Sequence, residues 1–338
     1  MLSPKELKQA HLDAAHGYGL MGLTWAGGVA PKEQAFAALN KVVELTPQKP
    51  VIFNVGEFYG PDYSNLKLAR SYFEAHPGLR EQTVVTCKGC VDNKALVPHG
   101  DRAFVTQSIE NSMKAFGGPF DIFQPARLDE KLFGDNVYPD ETFETLVEYI
   151  KKGSLGGLSL SEVNAEQIRA IHAKYGEYIC CVEVEFSLYH PEILTNGIVD
   201  ACNELGIPIV CYSPLCRGLL TGAITSPEDL KAGDFKSMLK KFKGEALKHN
   251  LKLVDFLQKE IVSKRSDGLT LPSLALAWIR SFNSKYLGTK FVPIPGASSA
   301  KRVEQNFTSY DLTQEELAKI DGFLKTFKTA GDRYEFET

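Results

Sequence analysis

Eight short β-rich runs, fairly evenly spaced and separated by stretches of helical pattern, constrain this chain more than any other feature. They fall at residues 17–23, 51–55, 83–87, 120–124, 155–160, 179–186, 207–212 and 291–294. Several are apolar almost throughout, which is the pattern of a strand covered on both faces. A helix begins at Pro31 and runs through Ala35, Phe36, Leu39 and Val42. Proline's fixed φ and missing amide suit the first helical position. Further helices are predicted at about 63–74, 101–115, 139–151, 165–174, 191–205 and 271–281. Alternating strands and helices allow a doubly wound open sheet or a closed (β/α)8 barrel. His16-Gly17-Tyr18-Gly19-Leu20-Met21-Gly22 approaches the glycine pattern of a dinucleotide-binding turn. A turn with Trp25, Gly27 and Gly28 follows it where a helix is required, so the open sheet is set aside. The expected fold is α/β, a (β/α)8 barrel with long loops on its C-terminal face, where the strand ends converge and function resides.

A length of 338 residues suits one such barrel or two modest domains. No linker, repeat or low-complexity tract divides it, so residues 1–338 are read as a single TIM-type barrel domain. Residues 1–16 form an N-terminal extension or a cap on the barrel bottom, helical or irregular over 2–15. Residues 219–270, rich in Lys and Gly and without a strand signal, form a long connection after the seventh strand that can fold over a bound cofactor. The formal charge of −4 offers no basic field for nucleic acid or an anionic membrane. The cluster Lys236, Lys240, Lys241, Lys243 and Lys248 has helical spacing and is read as a solvated helix face. The start of the chain has no apolar core of a secretory signal, and no apolar run reaches the ~18 residues of a membrane span. Seven scattered cysteines, an odd count, point to reduced thiols and a cytoplasmic or nuclear location. Cys87-Lys88-Gly89-Cys90 has CxxC form but lacks a second pair or nearby histidines, so no metal is expected. A buried strand before it argues against redox chemistry.

The chemistry gathers at two neighbouring strand ends. Phe53-Asn54-Val55-Gly56-Glu57-Phe58-Tyr59-Gly60 closes the second run and Val84-Val85-Thr86-Cys87-Lys88 the third. In a barrel, Tyr59 and Lys88 face one pocket. An ammonium beside a phenol stabilises phenolate and lowers the tyrosine pKa towards working pH, which makes a usable general acid. Taken bare, the pair reads more readily as a packed tyrosine and a surface lysine.

Seven motifs in order change that balance. They are Gly19-Leu20-Met21-Gly22-Leu23-Thr24-Trp25, Glu57-Phe58-Tyr59-Gly60, Cys87-Lys88, Leu160-Ser161-Glu162-Val163, Glu183-Val184-Glu185-Phe186-Ser187, Tyr212-Ser213-Pro214-Leu215-Cys216-Arg217-Gly218-Leu219-Leu220, and Pro293-Ile294-Pro295-Gly296-Ala297-Ser298-Ser299 through Gln305-Asn306. Over nearly its whole length the chain resembles the aldo-keto reductase superfamily. Within it, Leu96-Val97-Pro98-His99-Gly100-Asp101, Phe123-Gln124-Pro125-Ala126-Arg127-Leu128-Asp129 and Thr195-Asn196-Gly197-Ile198-Val199-Asp200 resemble the pyridoxal reductases of fungi. The resemblance implies NADPH-dependent reduction of pyridoxal to pyridoxine, a small-molecule aldehyde substrate and no required protein partner. Other aldehydes or ketones are the alternative substrates. A non-catalytic NADPH-binding regulatory subunit is a second alternative, since some barrel relatives serve channels in that way.

The resemblance assigns Tyr59 as proton donor with Lys88 beside it. It also exposes two departures from the family's Asp, Tyr, Lys and His tetrad: Asn54 stands at the Asp position and Ala126 at the His position. Loss of the carboxylate is expected to weaken the hold of Lys88 on its proton. Loss of the imidazole removes a donor that orients the carbonyl. Arg127 is placed to reach the substrate oxygen or a ring hydroxyl, or else to pair with Asp129 or Glu130. Trp25 and Phe58 are expected to hold a flat ring, with Phe133 either joining them or packing its own loop.

Cofactor contacts carry over by position. Gly19, Leu20 and Met21 line the first strand end, and Ser161 binds the nicotinamide carboxamide. Glu162 and Glu183, where the family often has Asn and Gln, can accept from its amide. Tyr212 stacks on the nicotinamide. Ser213, Pro214, Leu215, Cys216 and Arg217 hold the pyrophosphate. Gly296, Ser298, Ser299, Lys301 and Arg302 open a helix whose amides, hydroxyls and guanidinium suit a 2′-phosphate, which favours NADPH. Gln305 and Asn306 meet the adenine.

Overall fold

A computed structural model describes residues 1–25, 28–92, 95–230 and 234–334. Gly27 lies outside them. Eight strands form one all-parallel sheet in sequence order: β1 (Tyr18–Gly19), β2 (Val51–Gly56), β3 (Thr83–Gly89), β4 (Phe120–Pro125), β5 (Leu155–Ser161), β6 (Ile179–Glu185), β7 (Ile209–Tyr212) and β8 (Phe291–Pro293). The Gly17 amide donates to the Pro293 carbonyl at 3.0 Å across the seam between the first and last strands. The expected barrel is met. Its helices are α1 (Pro4–Asp13), α2 (Lys32–Leu45), α3 (Ser64–Ala75), α4 (Arg102–Phe116), α5 (Asp140–Lys151), α6 (Ala165–Tyr175), α7 (Ile198–Leu205), α8 (Gly244–Glu260), α9 (Leu271–Ser281), α10 (Ala300–Phe307) and α11 (Gln314–Leu324).

Side-chain alternation decides what reaches the barrel interior. Phe53 packs outward against Tyr72 and Phe73 of α3, ring centroids 6.3 and 6.1 Å away. Asn54 therefore faces inward, in register with Thr86 of β3. At the N-terminal end, α1 starts with a capping box between Ser3 and Glu6 and sets Leu7 and Ala10 against Val84, Ile122 and Cys180. Residues 4–13 thus form a cap on the barrel bottom.

Three expectations need correction. The first strand spans two residues, because the chain leaves the sheet in a 3₁₀ turn at Met21–Leu23 that buries Leu23. The helix predicted over 191–205 begins only at Ile198, since Gly197 at φ +86° interrupts it after a short turn at Glu192–Leu194. The lysine cluster is not one helix face. Lys236 and Lys240 lie on separate 3₁₀ turns and only Lys248 lies on α8. Lys241 is fully buried, its Nζ 2.8 Å from Nε2 of His190. Burial of Leu239 and Phe242 on either side pulls these turns onto the barrel.

Candidate active site

Tyr59 is held by its own turn. Gly60, at φ +103°, reverses the chain where a side chain would strike the Thr24 carbonyl. A Cβ on Gly56 would lie 2.7 Å from the Tyr59 ring, so glycine lets the ring fold back over β2. The Thr24 hydroxyl donates to the Tyr59 carbonyl at 2.6 Å. Asn65 of α3, fully buried, ties the turn together: it donates to Thr24 Oγ1 at 2.8 Å and the Leu20 carbonyl at 3.0 Å, and accepts from the Gly56 amide at 3.1 Å. The Trp25 and Phe58 rings stand 5.5 and 5.0 Å from the Tyr59 ring, making an aromatic wall. Phe133 instead packs partly buried against the core.

Lys88 Nζ lies 5.6 Å from the ring centroids of both Tyr59 and Tyr212. It also donates to Asn54 Oδ1 at 3.0 Å and to Glu183 Oε1. Asn54 Nδ2 donates to the other oxygen of Glu183 at 2.7 Å. The expected loss of a carboxylate partner for Lys88 is thus overturned, because β6 supplies one from across the barrel. Burial by itself would lower the Lys88 pKa, but Glu183 and Tyr59 outweigh it and the ammonium is held above its ordinary range. The expected fall in the Tyr59 pKa is corrected too. Burial raises it, and the opposing pull of Lys88 does not overcome that.

Glu162 is engaged as well. It adopts φ +54°, accepts the Glu185 amide at 2.8 Å and pairs with Arg333 at 2.6 Å. Arg127 stands 4.0 Å from this same carboxylate, and pairs with neither Asp129 nor Glu130 in the way expected. Asp129 instead accepts the Gly100 and Lys131 amides at 3.2 Å each. Residues 329–334 cross the barrel mouth. Tyr334 donates to or accepts from the Tyr212 hydroxyl at 3.0 Å, with the Arg127 and Arg217 guanidinium carbons 4.9 and 4.6 Å from its ring centroid.

The remaining positions fit a nicotinamide dinucleotide by their donor set. Ser213, Cys216 and Arg217 take positive φ, and such successive turns make anion-binding concavities of the backbone. Ser299 caps α10 by accepting the Arg302 amide at 3.4 Å, and Arg302 reaches Ser298 Oγ at 3.4 Å. Arg302 is exposed, Ser298 and Ser299 are half-buried, and Gly296 borders Gly19, whose carbonyl would lie 3.1 Å from a Cβ there. Ser161 is buried at the end of β5, and Met21 is exposed at the mouth. Pro214 and Leu215 are buried in the loop after β7. The side chains of Leu20, Cys216 and Asn306 are buried, leaving backbone as their route to a cofactor. Gln305 is half-buried and its carbonyl already accepts from Ser273 at 3.0 Å.

Sequence reasoning misses four residues here: Asn65, Glu57, Arg333 and Tyr334. Glu57 enters it only as a neighbour of Tyr59 in the tyrosine motif. It is buried against Gly89 of β3 and Ser108 of α4, accepts from the Ser108 hydroxyl, and has its pKa pushed up by burial to about 7. A charged residue inside an apolar strand end is the signal available for Glu57. The chain end carries no such signal. Cys87 and Cys90 are buried, and burial raises both thiols.

Comparison with known proteins adds the following. The family model described as "Aldo/keto reductase family" matches residues 17–325. A Saccharomyces cerevisiae protein provisionally named pyridoxal reductase is 51% identical over 94% of this chain and 95% of its own length. A Schizosaccharomyces pombe protein of similar provisional name is 35% identical over 94% of this chain and 93% of its own. Among solved structures, a glycerol dehydrogenase from Gluconobacter oxydans superimposes with a TM-score of 0.74 at 16% identity, covering 96% of this chain and 95% of that one. At that identity the likeness concerns the fold.

Proposed function

The chain belongs to the aldo/keto reductase family, and from that premise we propose that it reduces pyridoxal to pyridoxine with NADPH, Tyr59 delivering the proton. The observation that carries this reading is the buried Tyr59–Lys88 pair at the barrel mouth, with Lys88 paired to Glu183. Bound NADPH supplies a hydride to the aldehyde carbon. As negative charge grows on the carbonyl oxygen, Tyr59 gives it a proton, and Lys88 stabilises the phenolate left behind. Trp25 and Phe58 hold the pyridine ring, and Arg127 offers donors to its hydroxyl from the rim. Pyridoxal carries a phenolic hydroxyl beside its aldehyde, and the internal hydrogen bond does part of the work of the histidine absent at Ala126.

Names of the two fungal relatives support the substrate. The start of α10, with Ser298, Ser299 and Arg302 close together, supports NADPH over NADH. A cytoplasmic location accords with seven free cysteines, and among the described residues no helix is long and apolar enough to cross a membrane. A non-catalytic role draws its support from the missing carboxylate and imidazole; Glu183 supplies a carboxylate, and Tyr59 and Lys88 are both retained for acid catalysis. The test is NADPH oxidation with pyridoxal, run beside NADH and beside nitrobenzaldehyde. Faster turnover of nitrobenzaldehyde than of pyridoxal sinks the substrate assignment, and equal use of NADH sinks the cofactor assignment.

A further inference from the structure

We infer that Glu183 is the positioning residue that keeps Lys88 protonated for proton transfer, and that Asn54 and Glu183 work as an interchangeable acid–amide pair. The inference rests on the proposed roles of Tyr59 and Lys88.

Three buried side chains form a closed triangle. Lys88 donates to Asn54 Oδ1 and to Glu183 Oε1, and Asn54 Nδ2 donates to Glu183 Oε2 at 2.7 Å. Asn54, Lys88 and Glu183 are 3%, 6% and 1% exposed, so water contributes little to holding the charges. The triangle holds one cation and one anion. An ammonium buried this deeply without its anion would give up its proton. Lys88 meets no second carboxylate in an ion pair among the described residues. Its charge state therefore depends on Glu183, and so does its help to Tyr59.

The geometry also makes a symmetric demand. One corner must be an acid and the other an amide, since the amide gives the acid its hydrogen bond and gives Lys88 an acceptor. Exchanging them, with Asp at 54 and Gln at 183, keeps every hydrogen bond and the net charge. Asn54→Asp alone sets two carboxylates against each other at the 2.7 Å contact. Glu183→Gln alone leaves Lys88 without a counter-charge.

The test is a cycle of Glu183→Gln, Asn54→Asp and the double exchange, followed by pH–rate profiles, melting temperature and ionisation of Tyr59. Tyr59 ionisation is read in the cofactor-free protein from the ultraviolet band of tyrosinate, as the difference from Tyr59→Phe in each background. With Glu183→Gln, kcat/KM is expected to fall about tenfold or more, and the alkaline limb to move down by about one pH unit. With Lys88 neutral the phenolate loses its ammonium, so the tyrosinate band of Tyr59 should appear at higher pH than in the unaltered chain. Asn54→Asp alone should lower the melting temperature. The double exchange should recover most of the lost kcat/KM and return the limb to near its original place. An unmoved limb in Glu183→Gln, or a double variant that neither folds nor improves on it, overturns the inference. The tyrosinate reading needs neither cofactor nor substrate. If no aldehyde is reduced yet Glu183→Gln moves that ionisation to higher pH, the reductase reading fails and the role of Glu183 stands. Aldehyde reduction with an unmoved ionisation does the reverse.

Discussion

Removing one hydroxyl is the most direct probe of the site. Tyr59→Phe should cut turnover by about a hundredfold or more and leave NADPH binding intact, because the ring remains in the wall formed with Trp25 and Phe58. Single-turnover rates and fluorescence titration of NADPH check both halves. Glu57, two residues before this tyrosine in the chain, makes a separate prediction. Burial pushes its pKa from the usual carboxylate range up to about 7. The folded chain holds that proton more tightly than the unfolded one. The resulting stability is complete below the unfolded pKa and is lost as pH rises through the folded one. Glu57→Gln cannot titrate, so its melting temperature should gain on that of the unaltered chain between about pH 5 and about pH 8. A constant offset across that range contradicts the burial of an ionising carboxyl.

Among the elements, α10 is the one proposed to carry the cofactor preference. Its first turn presents Ser299 as cap and Arg302 beside Ser298. Arg302→Ala should weaken NADPH by about tenfold and leave NADH nearly unchanged, because a guanidinium recognises the extra phosphate and not the hydroxyl that replaces it. Parallel binding titrations with the two cofactors decide it. This helix shows how much of the local structure is legible along the chain. Its serines and the glycine before them mark a helix start, but nothing in the pattern marks its end, since Val303 and Phe307 are its only buried large apolar side chains. By contrast, α5 and α9 are amphipathic or apolar over their whole length, and the sequence pattern places both within a residue or so.

At the scale of the molecule, residues 329–334 of the same chain cross the barrel mouth. Asn250 of α8, fully buried, donates to the Lys241 and Ala330 carbonyls at 3.1 and 3.0 Å and accepts the Ala330 amide at 2.9 Å. Thr329 adds a bond to the Tyr189 carbonyl at 2.5 Å. Asn250→Ala should cost about 2 kcal/mol or more, since it strands buried backbone groups. It should also make residues after 325 the first target of limited proteolysis. Unchanged cleavage there would mean that other contacts anchor the end.

Strand spacing, burial on both faces and the order of motifs lie along the chain itself. Eight strands, a parallel barrel and the Tyr59–Lys88 pair on neighbouring strand ends can therefore be read from it. Local periodicity encodes the strands and helices, because each depends on residues a few positions apart, and the Tyr59–Lys88 pair is read from the motifs that carry the family resemblance. The partner of Lys88 is not encoded in this way. Glu183 lies 95 positions further on and meets Lys88 only when β3 and β6 face each other across a closed barrel. The same closure sets Asn54 against Glu183, buries Lys241 and carries Tyr334 to Tyr212. Each of these contacts depends on register and closure. Those are fixed by packing the whole core at once, so the missing carboxylate can be noticed in the sequence while its replacement is found only in the fold.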